Sequence, residues 1–99
     1  MPLEITLTQA GVRIAGELDM ATARQLKDFF SQDHRSEGRL ELDVSGLSFM
    51  DSSGLEVFLR QAATRTNEDP LVLLNPSRPV QRVLEIAVPG GVRGLEVKR

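Results

Sequence analysis

The stretch Ser48-Phe49-Met50-Asp51-Ser52-Ser53-Gly54-Leu55 gathers the densest set of groups able to do chemistry: a carboxylate, two adjacent hydroxyls and a glycine. Side chains of these types cap a helix by accepting hydrogen bonds from its free N-terminal amides, so Asp51 or either following serine could begin a helix here. Ser53 with Glu56 three residues on also fits the reciprocal capping pattern. Capping leaves a redundancy, because three cap-type residues followed by Gly54, a weak helix former in a first turn, exceed what one helix start requires. Gly54 removes a side chain where a second surface could approach the backbone, and the hydroxyls would then stand at the helix N-terminus. That is a good place for a switch.

Other chemistry finds little support. The single histidine, His34, falls in a polar loop and reads as a solvated residue, so the serines have no base that would make one a nucleophile. A hydrolase reading of the Asp51-Ser52-Ser53 corner fails on that point, and the chain is not expected to be an enzyme. Asp19, Asp43 and Asp51 read as helix caps or strand-end polar residues, not as a carboxylate cluster, so no metal is expected. There is no GxxxxGK[ST] phosphate loop. Pro89-Gly90-Gly91-Val92-Arg93-Gly94 follows a helix and not a strand, and reads as a stop and a turn. No cofactor is expected. Arg78 and Arg82 read as a solvated face.

The elements that must hold the serine corner follow from periodicity. Leu3, Ile5 and Leu7 alternate with polar residues, and after Gln9-Ala10-Gly11 so do Val12 and Ile14, which predicts two strands joined as a hairpin. Gly16-Glu17-Leu18-Asp19 breaks the alternation. From Ala21 to about Asp33, Ala23, Leu26, Phe29 and Phe30 share a helical face, with Asp19 or Thr22 as N-cap and Gln25 completing a capping box for Thr22. Leu40, Leu42 and Val44 alternate in a third strand, and Ser52 to about Thr64 carries Leu55, Phe58, Leu59 and Ala62 at helical spacing. Leu71 to Leu74 reads as a central strand buried on both faces. A third helix starts at Ser77 or Arg78, has Pro79 in its first turn and turns Val80, Val83, Leu84 and Ala87 inward. Val92, Leu95 and Val97 leave room for a last strand. The order β-β-α-β-α-β-α-β implies one α/β domain over residues 1–99, a mixed sheet with helices packed on it.

Composition narrows the class. Ninety-nine residues with 40% hydrophobic and 26% charged allow one domain with one modest core. The absence of cysteine removes disulfides and thiolate metal sites and fits a reducing compartment, so a cytoplasmic module is expected. The longest aliphatic run, Leu71-Val72-Leu73-Leu74, is far below the ~20 residues of a membrane span, and no signal sequence is visible. The net charge is −2, with 5 basic and 8 acidic side chains in residues 1 to 50 and 7 and 6 in residues 51 to 99. Neither half is a basic surface, and four Phe without Trp or Tyr offer few stacking platforms, so direct nucleic-acid binding is not expected.

Gly16-Glu17-Leu18-Asp19 followed by Thr22-Ala23, and Leu47-Ser48-Phe49-Met50-Asp51-Ser52-Ser53-Gly54-Leu55 some thirty residues on, resemble the STAS domain of bacterial anti-sigma factor antagonists. The resemblance runs from Leu3 to about Ala87. It implies a binding module switched by phosphorylation, with Ser53, the second serine of the motif, as phosphoacceptor. The unphosphorylated form would bind an anti-sigma factor that is also a serine kinase of the histidine-kinase-like ATPase type, releasing a sigma factor. Phosphorylation would end that binding and a metal-dependent serine phosphatase would restore it. The implied partner surface is Asp19, Asp51, Ser52, Ser53 and Gly54, with Glu56 beside them. Two features differ from the antagonist pattern: Glu56 stands where such proteins usually carry Gly, and Pro89 to Arg99 is expected to leave no room for their additional C-terminal helix. The short end resembles a second STAS group, small subunits that bind the ATPase of a bacterial lipid-asymmetry transporter without serine phosphorylation.

Overall fold

A computed structural model describes residues 3–9, 11–32 and 39–99. The elements run β1 (Glu4–Thr8), β2 (Gly11–Leu18), α1 (Ala23–Gln32), β3 (Leu40–Met50), α2 (Ser52–Ala62), β4 (Leu71–Leu74), α3 (Arg78–Ala87) and β5 (Leu95–Lys98). The predicted loop around His34 and the predicted helix end at Asp33 lie outside the described residues.

The five strands form one sheet in the order β1-β2-β3-β4-β5, with β1 antiparallel to β2 and each later neighbour parallel. Each parallel pair is joined through one helix, and right-handed crossovers between successive neighbours put all three helices on one face. α1 packs against α2, and α2 against α3. Beneath them Ile14, Leu18, Leu42, Val44, Leu47, Met50, Leu71 and Leu73 meet Leu26, Phe58 and Val80 in one core. Phe58 is the largest fully buried side chain, and Phe30 of α1 meets its ring edge-on at 6.4 Å. β4 is buried on both sides as expected, yet Val72 lies outside that cluster, between Glu41 and Glu96 in the sheet register.

The face without helices is polar. Arg13 of β2 stands opposite Asp43 of β3, and Arg39 bridges to Glu41 and Glu96. Burial disfavours ionisation of Asp43, but the Ser45 amide, which donates to Asp43 Oδ1 at 2.9 Å, the Ser45 hydroxyl and the Arg13 guanidinium outweigh it, so the carboxyl titrates below its ordinary value.

Two strands are longer than alternation indicates. β2 continues through Gly16 to Leu18, and β3 runs on to Met50. Their pairing slips between Arg13 and Ala15 and again between Gly16 and Glu17, each time inserting one extra residue on β3. The buried positions of β3 therefore read 40, 42, 44, 47 and 50, a period of two that gives way to steps of three. Gly16 takes a positive φ of 109° at the second slip, a backbone conformation that other residues rarely adopt.

At the third helix the expected cap is present: Ser77 is the N-cap and Pro79 lies in the first turn. Its hydroxyl donates to the Leu47 carbonyl, tying the start of α3 to β3, and makes no capping bond. Ala87 is exposed, contrary to the inward position expected from helical spacing, while Leu84 and Val88 on either side of it hold the end of α3 on the core.

Candidate functional site

β2 and β3 end level with one another, Leu18 opposite Met50. The residues that follow, Asp19 and Asp51, therefore stand side by side at the C-terminal edge of the parallel sheet, the usual place for function in open α/β folds. The Asp51 amide donates to the Leu18 carbonyl at 3.1 Å and locks the two chain turns together.

Each aspartate organises its own turn. Asp19 Oδ1 accepts from the amides of Ala21 and Thr22, both at 3.0 Å, and the Thr22 hydroxyl donates to the Glu17 carbonyl at 2.7 Å. Gln25 does not complete a capping box. Its side-chain amide pairs in both directions with the backbone of Leu3, fastening the N-terminal segment to α1. Asp51 is the N-cap of α2: it is extended, and its Oδ1 accepts from Ser53 N at 2.9 Å and Gly54 N at 3.1 Å. The capping box expected for Ser53 and Glu56 does not form, because Asp51 already holds the amide it would use. Glu56 instead pairs with Arg60 one turn on, at 2.8 Å.

This division of labour settles the redundancy among the three cap-type residues. Asp51 caps, and among the described residues neither serine hydroxyl makes a hydrogen bond. Ser52 is exposed, whereas Ser53 is half-buried and opens into a groove of about 350 Å³ between α1 and α2. Lys27 and Phe30 form the α1 wall of that groove, and Glu56, Val57 and Arg60 the α2 wall. Gly54 is buried, and the surface approaching it is intramolecular: a Cβ there would lie 2.4 Å from Leu18 Cγ. Beside the corner Met20 is 79% exposed and Phe49 44% exposed, an unusual display for large apolar side chains next to a half-buried serine.

Asp19, Asp51, Ser52, Ser53, Gly54 and Glu56 thus converge on one end of the molecule, around the start of α2. Lys27, Phe30 and Arg60 were not singled out by sequence. Arg60 shares a helical face with Ser53 and Glu56, a signal present in the spacing, whereas Lys27 and Phe30 reach the groove only through the packing of α1 on α2. Among the described residues no three His, Cys, Asp or Glu side chains are grouped to hold a metal, and no helix is long and apolar enough to cross a membrane.

A one-faced α/β sheet with an acid-capped Ser-Ser-Gly corner at its strand ends defines a STAS domain. The chain belongs to the STAS domain family: the family model described as "Mlab, STAS domain" matches residues 1–92. It is 36% identical over 75 residues to the anti-sigma-B factor antagonist of Listeria monocytogenes serovar 1/2a, covering 74% of this chain, and the Listeria innocua serovar 6a antagonist gives the same figures. The match spans 66% of the length of these relatives. The fold also resembles the solved structure of the anti-sigma factor antagonist SpoIIAA in its unphosphorylated form. The TM-score is 0.62 at 25% identity, with 96% of this chain and 86% of that chain covered.

Proposed function

We propose that the chain is an anti-sigma factor antagonist whose unphosphorylated form binds an anti-sigma factor with serine kinase activity, and that phosphorylation of Ser53 ends the binding. The observation that carries this reading is the half-buried Ser53 hydroxyl, relieved of capping by Asp51 and set at the rim of a groove. The names of the Listeria relatives and of SpoIIAA support the partner class. The partner surface comprises Asp19, Asp51, Ser52, Ser53 and Glu56, with Gly54 beneath them seating the helix start on Leu18. A serine phosphatase restores the binding form, and the module works in the cytoplasm without a cofactor or nucleic acid.

The switch follows from charge. A phosphoryl group adds about −1.5 to −2 at pH 7, next to the carboxylates of Asp51 and Glu56. Desolvating that charge against a partner costs several kcal/mol by order of magnitude, enough to abolish a micromolar complex without unfolding the domain. Wild type and Ser53→Asp serve as paired baits in lysate of the source organism, with captured proteins identified by mass spectrometry. The reading expects wild type to capture a small histidine-kinase-like ATPase and the Asp variant to lose it; equal capture by both baits sinks it.

A second reading rests on the description of the matching family model as Mlab. In it the chain is a constitutive STAS subunit that binds the ATPase of a lipid-asymmetry transporter. Capture of a transporter ATPase by both baits is the outcome that selects it, and Ser53 then has no switching role.

A further inference from the structure

At the start of α2 the amides of Ser53 and Gly54 are already bonded to Asp51, so a phosphoryl group on Ser53 finds its full positive charges elsewhere. The charged residues that share the groove with Ser53 are Glu56 and Arg60 on α2 and Lys27 on α1, with Asp51 at the cap. Arg60 is engaged with Glu56 at 2.8 Å. Lys27 is a cation in the same groove that forms no ion pair among the described residues. Asp28 and Arg24 lie with Lys27 and Val57 around the adjoining hollow on α1.

We infer that the groove between α1 and α2 is an intramolecular receptor for the phosphoryl group of Ser53, with Lys27 as its principal cation and Arg60 as a second one drawn away from Glu56. This inference deepens the proposed function and rests on the reading of Ser53 as the phosphoacceptor. Three features favour it. Ser53 and Lys27 line the same groove, so a group added to the Ser53 Oγ is carried at the edge of the space that Lys27 lines. The space, about 350 Å³, exceeds what one phosphoryl group fills. The Glu56–Arg60 pair is exposed and one turn apart on a single helix, a weak interaction that a dianion can outcompete. Phosphorylation would then do more than place charge at the partner surface. It would tie α1 to α2 across the groove and fill a recess that the unphosphorylated form leaves open.

The test installs phosphoserine at position 53 during synthesis by an expanded genetic code, so that it depends on no kinase and no partner. The phosphate's second ionisation, ordinarily near pH 6, is followed by phosphorus NMR in wild type, Lys27→Gln, Lys27→Arg and Arg60→Gln. A cation a few ångströms away holds that midpoint down by roughly half a unit. Lys27→Gln is expected to raise the midpoint by about that amount, Arg60→Gln by less, and Lys27→Arg to leave it near the wild-type value. Amide resonances of α1 around Lys27 should also shift on phosphorylation of wild type. A midpoint that is the same in wild type and Lys27→Gln overturns the inference, as does an effect seen only with Arg60→Gln. Lys27 is exposed, and unphosphorylated spectra of each variant establish that the fold is intact. Should the Lys27 effect be present while Ser53→Asp still captures the kinase, the proposed function fails and the receptor stands.

Discussion

Gly54 lies directly against Leu18, so close that a Cβ at position 54 would come within 2.4 Å of the leucine Cγ and 3.1 Å of its carbonyl oxygen. The contact joins the two sequence motifs physically: the start of α2 rests on the last residue of β2. Leu18 is fully buried, so a Cβ at position 54 must displace a core side chain. Gly54→Ala should therefore cost about 1 to 3 kcal/mol, even though alanine is the better helix former. Urea unfolding of Gly54→Ala, Leu18→Ala and the double variant checks this. Removing the leucine side chain should relieve part of the alanine penalty, making the double variant more stable than the summed single costs indicate.

Because Asp51 alone holds the free amides of α2, the three neighbouring polar residues should differ sharply in their effect on stability. Asp51→Ala is expected to lose about 1 kcal/mol, within the 0.5 to 2 typical of a lost cap. Ser52→Ala and Ser53→Ala should each stay within about 0.5 kcal/mol of wild type. Equal losses at Asp51 and Ser53, measured by urea midpoints, would place the cap on the serine and remove the reason for regarding its hydroxyl as available.

Phe58 projects from α2 into the core as its largest fully buried side chain and meets the Phe30 ring edge-on. Phe58→Ala should cost about 3 to 5 kcal/mol, a large fraction of the stability of a domain this size. Thermal unfolding would reveal it. Phe30→Leu, at the groove wall, should be milder because Phe30 is only partly buried.

Asp43 gives the domain a definite acid response. Its folded carboxyl titrates below the ordinary value of 3.8, since hydrogen bonds from Ser45 and the charge of Arg13 outweigh its partial burial. The unfolded chain thus binds this proton at higher pH than the folded one. The associated stability is fully present above the ordinary carboxyl value and fades as pH falls through the lower folded-state value. Asp43→Asn should remove that part of the pH dependence, and urea midpoints at pH 7 and pH 3 should lie closer together in the variant than in wild type.

The helices, the first strands and the element order are legible in the residues because those segments carry a clean period, and β4 is legible as an interior strand in the unbroken run from Leu71 to Leu74, although the middle of the sheet is β3. The lengths of β2 and β3 are not, since two register slips turn the buried positions 42, 44, 47 and 50 into a pattern that matches neither strand nor helix. Capping was ambiguous for a related reason: Asp51, Ser52 and Ser53 are chemically equivalent candidates, and only the backbone's path from Met50 decides which of them meets the amides. Gln25 had a local partner available and took a distant one, Leu3, which no short-range pattern reveals. The residues that gather at the start of α2 carry a motif that can be read directly, whereas the position of Lys27 in the groove depends on the packing of two helices that meet only in space.

The two extra residues of β3 work as a vernier. Measured from the Val12–Leu42 pair, β2 takes six steps to Leu18 while β3 takes eight to Met50, yet both arrive level. The offset sets which way the next residue points. Removing one residue between Val44 and Phe49 would rotate Met50 out of the core and carry Asp51, with the helix it begins, toward the polar side of the sheet. A length change of a single residue in β3 should thus be far more damaging than most substitutions there, so natural variants of this domain should change β3 in identity far more readily than in length.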